Sequence, residues 1–223
     1  EAAVLSRMIL KYEKPKHHTF CWGKTEDVIL LCNRNNRQIT ARQIQTGEVS
    51  MLAGGVRIQG ADLQEIAKIR TWQELLFPLH GKVEREYTAE AAAQTVWNTE
   101  IMELLQSLHE EKGAFLFRIE YKGSLDERKK SEFVKKTAAL LEEKSERMLI
   151  NSISDYEIEI RIVESKKGGY LPFLRLYTME DERFAYRKES IAASIAPVNA
   201  ALIMQIAGDH LKENAQVLDP FCG

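Results

Sequence analysis

The chain has 223 residues, a formal net charge of -2, 44% hydrophobic and 29% charged residues, enough for two domain cores of roughly 100 residues each. No apolar run approaches the ~20 residues of a membrane span, so no membrane partner is expected. A pI near 6.3 excludes a uniformly basic nucleic-acid binder and confines any phosphate-recognising surface to a local patch.

Residues 19–22, 28–32 and 37–41 are short β-forming runs, and the polar cluster at 33–36 suits a hairpin between the second and third. Residues 56–59 alternate as a further strand between Gly54-Gly55 and Gly60. A helix is expected over 61–77, where Leu63, Ile66, Ile69, Leu75 and Leu76 recur at three- and four-residue spacings, with Pro78 ending it. After a linker at 78–87, Thr88 has the chemistry of an N-cap, although no capping-box Glu follows. The next helix is expected over 89–111 on the stripe Ala93, Val96, Trp97, Ile101, Leu104, Leu105 and Leu108, closed by Lys112-Gly113.

Residues 114–122 and 155–164 alternate as strands, and 126–147 between them is helical, with Phe133, Val134, Ala138, Leu140 and Leu141 inside. Lys166-Lys167-Gly168-Gly169 reads as a hairpin turn into a strand at 170–178, where Pro172 suits an edge or the strand's start. Ser190 or Ser194 caps a last apolar helix running to about Gly208. A short buried strand is expected at 216–219, leading into Pro220-Phe221-Cys222-Gly223.

Lys122, Arg128, Lys129, Lys130, Lys135 and Lys136 fall within fifteen positions beside a glycine turn and a helix start, a setting suited to phosphate oxygens. Across the whole helix, Lys144 and Arg147 join these cations, and six carboxylates nearly balance them, so the plain alternative is a solvated face. Arg183, Tyr186, Arg187 and Lys188 interleave an aromatic ring with cations, the combination that stacks on bases while neutralising phosphates; the alternative is a docking linker. His17-His18 is not expected to hold metal, because adjacent side chains on an extended segment point apart and no carboxylate follows nearby. Cys21, Cys32 and Cys222 are odd in number without C-x-x-C spacing, which predicts free thiols. No basic or signal-like leader opens the chain, so a cytoplasmic location is expected.

Three stretches, in order, resemble the THUMP-containing RNA methyltransferases. The first runs from Gly55 through Ile69-Arg70-Thr71-Trp72 to Phe77, and the second joins Phe117–Gly123 to Leu149–Ile162. The third joins Arg183–Lys188 to Ala196–Ile203 and Val217–Gly223. A hydrophobic strand ending in a carboxylate and a Pro/Gly bend places ligand atoms at its carboxyl end, beside main-chain N–H groups.

The resemblance implies an α+β chain with a ferredoxin-like domain at 1–80 and a THUMP RNA-binding domain (α/β, mixed sheet) at 81–178. A linker and the first strand of a Rossmann-like methyltransferase domain follow at 179–223. It further implies that Asp219, Pro220, Phe221, Cys222 and Gly223 hold the methionine part of S-adenosylmethionine. The partner is then tRNA, with rRNA open, and the product N2-methylguanosine. The remaining glycine loop, the ribose-binding acid and the Asp/Asn-Pro-Pro-aromatic motif lie outside these residues, so the chain by itself is expected to carry no catalytic residue and to be silent. The competing readings are a protein-interaction or assembly module, which the near-neutral charge permits, and a methyltransferase acting on DNA or protein.

Overall fold

A computed structural model describes residues 18–189, 194–208 and 210–218. They form two compact units: Leu76–Glu180 with the described residues before Thr25, and Thr25–Leu75 with the described residues after Glu180.

In the second of these units, β1 (Thr25–Cys32) lies antiparallel to β3 (Gly55–Asp62), which in turn pairs with β2 (Glu48–Leu52). Val28 faces Ile58 and Leu30 faces Val56 across the ladder, all four fully buried. Gly55 is required there, because a Cβ would strike the Leu30 carbonyl. Two expectations fail. Residues 37–41 form not a strand but the helix α1 (Arg37–Arg42), in which only Thr40 is buried, a one-sided pattern that strand alternation cannot produce. The helix expected over 61–77 is short: α2 (Leu63–Lys68) begins at Asp62, whose carboxylate accepts from the Gln64 and Glu65 N–H groups. Ile69 is already extended and β4 (Trp72–Pro78) follows, so Pro78 ends a strand. Leu75, Leu76 and Phe77 are all buried, a run that fits a strand covered on both faces.

The other unit carries β5 (Phe115–Lys122), β6 (Leu149–Asn151), β7 (Ile158–Glu164) and β8 (Tyr170–Leu176). β5 is parallel to both β6 and β7, β8 is antiparallel to β7, and the last residues of β4 pair with β8. Between β5 and β6 runs α5 (Glu127–Lys144), the crossover that a parallel pair needs. Two further helices, α3 (Ala89–Trp97) and α4 (Ile101–Ser107), occupy the span read from sequence as one helix. Glu100 between them is left-handed at φ 54, which no α-helix accommodates. Thr88 and Asp126 cap α3 and α5 through the Ala91 and Lys129 N–H groups. The β7–β8 hairpin turns through Gly168 and Gly169 at φ 99 and 70, the conformation for which glycine is favoured. Phe115, Phe117, Ile119 and Tyr121 project to the helical side, where Tyr121 and Tyr170 both pack on Phe133 of α5.

Residues 19–22 do not form the expected strand; Phe20 makes a single bridge to His109. What ties this segment down is a buried carboxylate. Glu157 Oε1 accepts from the His18 N–H (2.6 Å) and from its ring Nδ1 (2.8 Å), while Oε2 accepts from the Leu116 N–H. Burial pushes the Glu157 carboxyl up, and the bonds from His18 and Leu116 more than offset it, leaving the group below the usual carboxylate range. His109 Nδ1 donates to the Leu105 carbonyl, so in the neutral ring Nε2 accepts from the Thr178 hydroxyl. Burial depresses its pKa despite the opposing carbonyl bond.

At the chain's end, α6 (Pro197–Gly208) starts with a proline, as helices favour; of its expected caps, Ser190 lies outside the described residues. The buried strand expected at 216–219 is absent over the described 216–218, where Val217 is 67% and Leu218 86% exposed. Two hydrophobic residues so placed have no facing strand among the described residues to bury against.

The buried groups predict an acid-labile unit. A depressed His109 pKa means that the unfolded chain takes up the proton first, so this stability is complete above the ordinary value of 6.5 and lost as pH falls through the folded value. Glu157 adds a loss of the same sign below 4.5. Urea unfolding followed from neutral pH downwards should show falling stability from about pH 6.5, and His109→Gln should flatten the upper part of that fall.

Candidate nucleic-acid interface

Lys122 ends β5 and is followed by a turn that is held from one point. Glu164 accepts from the Ser124 N–H (2.9 Å), the Ser124 hydroxyl (2.9 Å) and the Tyr121 hydroxyl (2.7 Å). These bonds hold the Glu164 carboxyl below the usual range. The turn delivers the chain to Asp126, the cap of α5, and so fixes the start of the helix carrying Arg128, Lys129, Lys130, Lys135 and Lys136. Phe133, Thr137, Ala138 and Leu141 form the buried stripe of that helix, which leaves Arg128, Lys129, Lys135 and Lys136 exposed and Lys130 half-exposed.

Lys122 pairs with Glu120, Arg128 with Glu132, Lys129 with Asp126, Lys130 with Glu127 and Lys136 with Glu90. Exposed pairs of this kind are screened by solvent and contribute little, so a phosphate can displace the carboxylates at small cost.

The second basic stretch divides. Arg183 is not an exposed contact, contrary to the expectation from sequence: its side chain is only 4% exposed. Its guanidinium donates to both oxygens of Asp181 (2.7 and 2.6 Å) and to the Ile69 and Trp72 carbonyls (3.2 and 2.9 Å). It also lies 3.2 Å from the centroid of the Trp72 ring. The Trp72 indole N–H in turn donates to the Ile66 carbonyl, so α2, the start of β4 and residues 181–184 are joined through one indole. The bonds from Arg183, the largest influence, hold the Asp181 carboxyl low.

Beyond this anchor Tyr186 is 60% exposed and Lys188 is exposed, while Arg187 is half-buried and donates to the Ile195 carbonyl. Arg70, part of the first family-like stretch but not among the candidate contacts, sits 5.1 Å from the Tyr186 ring centroid.

Sequence reading also missed a polar cluster on the sheet face of β5 and β7 opposite α5. Glu159 is buried and accepts from Arg118 (2.6 Å) and Arg161 (2.7 Å), and Arg118 lies 4.1 Å from the Tyr156 ring centroid. Burial pushes the Glu159 carboxyl up, and the two guanidinium groups more than offset it, keeping Glu159 ionised. The signal lay in the register: Arg118 stands directly opposite Glu159 on parallel strands.

Asp219, Pro220, Phe221, Cys222 and Gly223 lie outside the described residues. Among the described residues no helix is long and apolar enough to cross a membrane. His18, half of the histidine pair, is spent on Glu157 and stacks on Phe115 at 3.8 Å.

No protein-family model and no curated protein matches the sequence. Solved structures do share the fold. TrmN from Thermus thermophilus aligns with a TM-score of 0.58 at 15% identity, over 82% of this chain and 54% of its own. A predicted N6-adenine-specific DNA methylase from Listeria monocytogenes aligns with a TM-score of 0.52 at 16% identity, over 81% of this chain and 48% of its own. The chain spans about half the length of these structures.

The anchor is testable. Arg183→Ala should cost about 2–4 kcal/mol of stability, from lost hydrogen bonds to buried carbonyls and the stacked cation. Arg183→Lys should recover little, since an ammonium cannot span Asp181 and two carbonyls as a planar fork does. Thermal unfolding of both variants measures this; a lysine variant as stable as the parent contradicts it.

Proposed function

We propose that this chain is the RNA-binding portion of an S-adenosylmethionine-dependent RNA methyltransferase. Residues 1–80 make a ferredoxin-like domain, 81–178 a THUMP domain, and 179–223 the linker and the opening of the methyltransferase domain. The observation that carries the reading is the fold likeness over four-fifths of the chain to structures of about twice its length. One of these bears the name of a nucleic-acid methylase. Motif order supports it: Val217–Gly223 follows Arg183–Lys188 as the family resemblance requires.

RNA is favoured over duplex DNA by an exposed ring among cations, which engages unpaired bases rather than a closed stack. Lys122, Arg128, Lys129, Lys130, Lys135 and Lys136 contact phosphates, Tyr186 stacks, and Arg187 and Lys188 flank it. Arg183 positions them without touching RNA. In the longer protein Asp219 to Gly223 hold the methyl donor, which supplies an electrophilic methyl group. The substrate is tRNA, or else rRNA, methylated at guanosine N2 in the cytoplasm.

Anisotropy titrations with labelled RNA bearing a single-stranded tail test the binding reading. Affinity should fall steeply with salt, with a slope of roughly -0.7 for each phosphate contacted by a single strand. Lys129→Ala combined with Lys130→Ala should make the slope shallower by about 1.4. Absence of binding at low salt sinks the reading, and equal competition by duplex DNA favours the DNA methyltransferase instead.

A further inference from the structure

One cavity of the second unit opens beside the proposed stacking residue, Tyr186. It has a volume of about 350 Å³ and is lined by Lys68 and Arg70, by Gln43 and Thr71, by Tyr186, and by Met204 of α6 among others. That volume falls in the range of about 300–1,000 Å³ typical of small-ligand sites. The lining is mixed in a definite way. Lys68 and Arg70 are exposed cations, and Lys68 makes an exposed pair with Glu65. Tyr186 and Met204 supply flat and polarisable apolar surface. Gln43 Nε2 is committed to the Ile39 carbonyl and the Thr71 hydroxyl, both at 2.9 Å, which leaves its amide oxygen as the acceptor that this wall offers. Thr71 Oγ1 is itself locked to the Thr40 hydroxyl at 2.9 Å, so the amide is fixed in orientation.

Cations beside an aromatic face beside an oriented amide match one ligand class, a nucleotide with its phosphate, base face and base edge. A neighbouring cavity of about 200 Å³ shares Gln43 and Lys68 as walls and extends to Gln45 and Thr46. The shared walls favour a polymer over a free nucleotide, because the strand has a second hollow in which to continue.

We propose that the larger cavity seats one unpaired nucleotide of the bound RNA. Its base lies against Tyr186 and Met204, its phosphate lies at Lys68 and Arg70, and a base N–H group donates to Gln43 Oε1. This rests on the RNA-binding reading above.

A short single-stranded RNA carrying one 5-iodouridine, irradiated with the chain and mapped by mass spectrometry, tests it. A crosslink at Tyr186 or Met204 is expected, and it disappears when a complementary strand pairs the RNA. Tyr186→Ala should weaken binding of the single strand about tenfold, and Tyr186→Phe should not. Because the Tyr186 side chain is exposed, the alanine variant should keep its melting temperature. RNA that binds yet crosslinks only within residues 122–136, or with equal affinity for Tyr186→Ala, overturns the nucleotide seat and leaves the RNA-binding reading standing. Failure of the unaltered chain to bind any RNA overturns both.

Discussion

Burial of a single guanidinium, that of Arg183, governs where the later cations lie. A buried cation without partners is prohibitive, and this one is satisfied by the Asp181 carboxylate, two main-chain carbonyls and the Trp72 ring. The partners come from the end of α2 and the start of β4, so residues 181–184 have one place to dock. Tyr186 follows two positions past the short 3-10 turn Glu182–Phe184 and thereby comes to Arg70. Charge that looked like ligand-binding charge in the sequence is structural, and it places the neighbour that is exposed.

The other unit solves a similar problem with carboxylates. Glu159 in β7 and Glu157 just before it lie on the side turned away from α5, and both are buried. Each is matched: Glu157 by His18 and the Leu116 amide, Glu159 by Arg118 and Arg161. Glu164, at the strand's exposed end, instead gathers the Ser124 turn and so orients the basic start of α5. Three acids along this stretch, Glu157 just before β7, Glu159 within it and Glu164 at its end, thus fix the segment at His18, the sheet face and the cationic helix in turn.

Much of this was legible because local chemistry decides it. Thr88 caps because a side-chain oxygen can reach an orphan N–H three residues on, and Gly168-Gly169 turns because it tolerates positive φ. The failures have equally plain causes. Leu63, Ile66 and Ile69 followed by Leu75 and Leu76 satisfy helical spacing on paper, but nothing in that spacing registers that Ile69 turns extended. Ile39 and Thr40 have β propensity, yet they sit in a helix. Alternation in 158–164 gave the strand and its two faces, but not that the charged face is buried too. Arg183 could not be read at all, since its carbonyl partners lie more than a hundred residues earlier.

The proposed RNA contacts lie at the start of α5 in one unit and at the segment beyond Arg183 in the other, each a site of its own unit. Hydrogen–deuterium exchange of the chain, with and without saturating single-stranded RNA, tests them most directly. The account predicts slowed exchange at the amides of 123–136 and 184–188 when RNA is present. Bound RNA that leaves both stretches unchanged would contradict it.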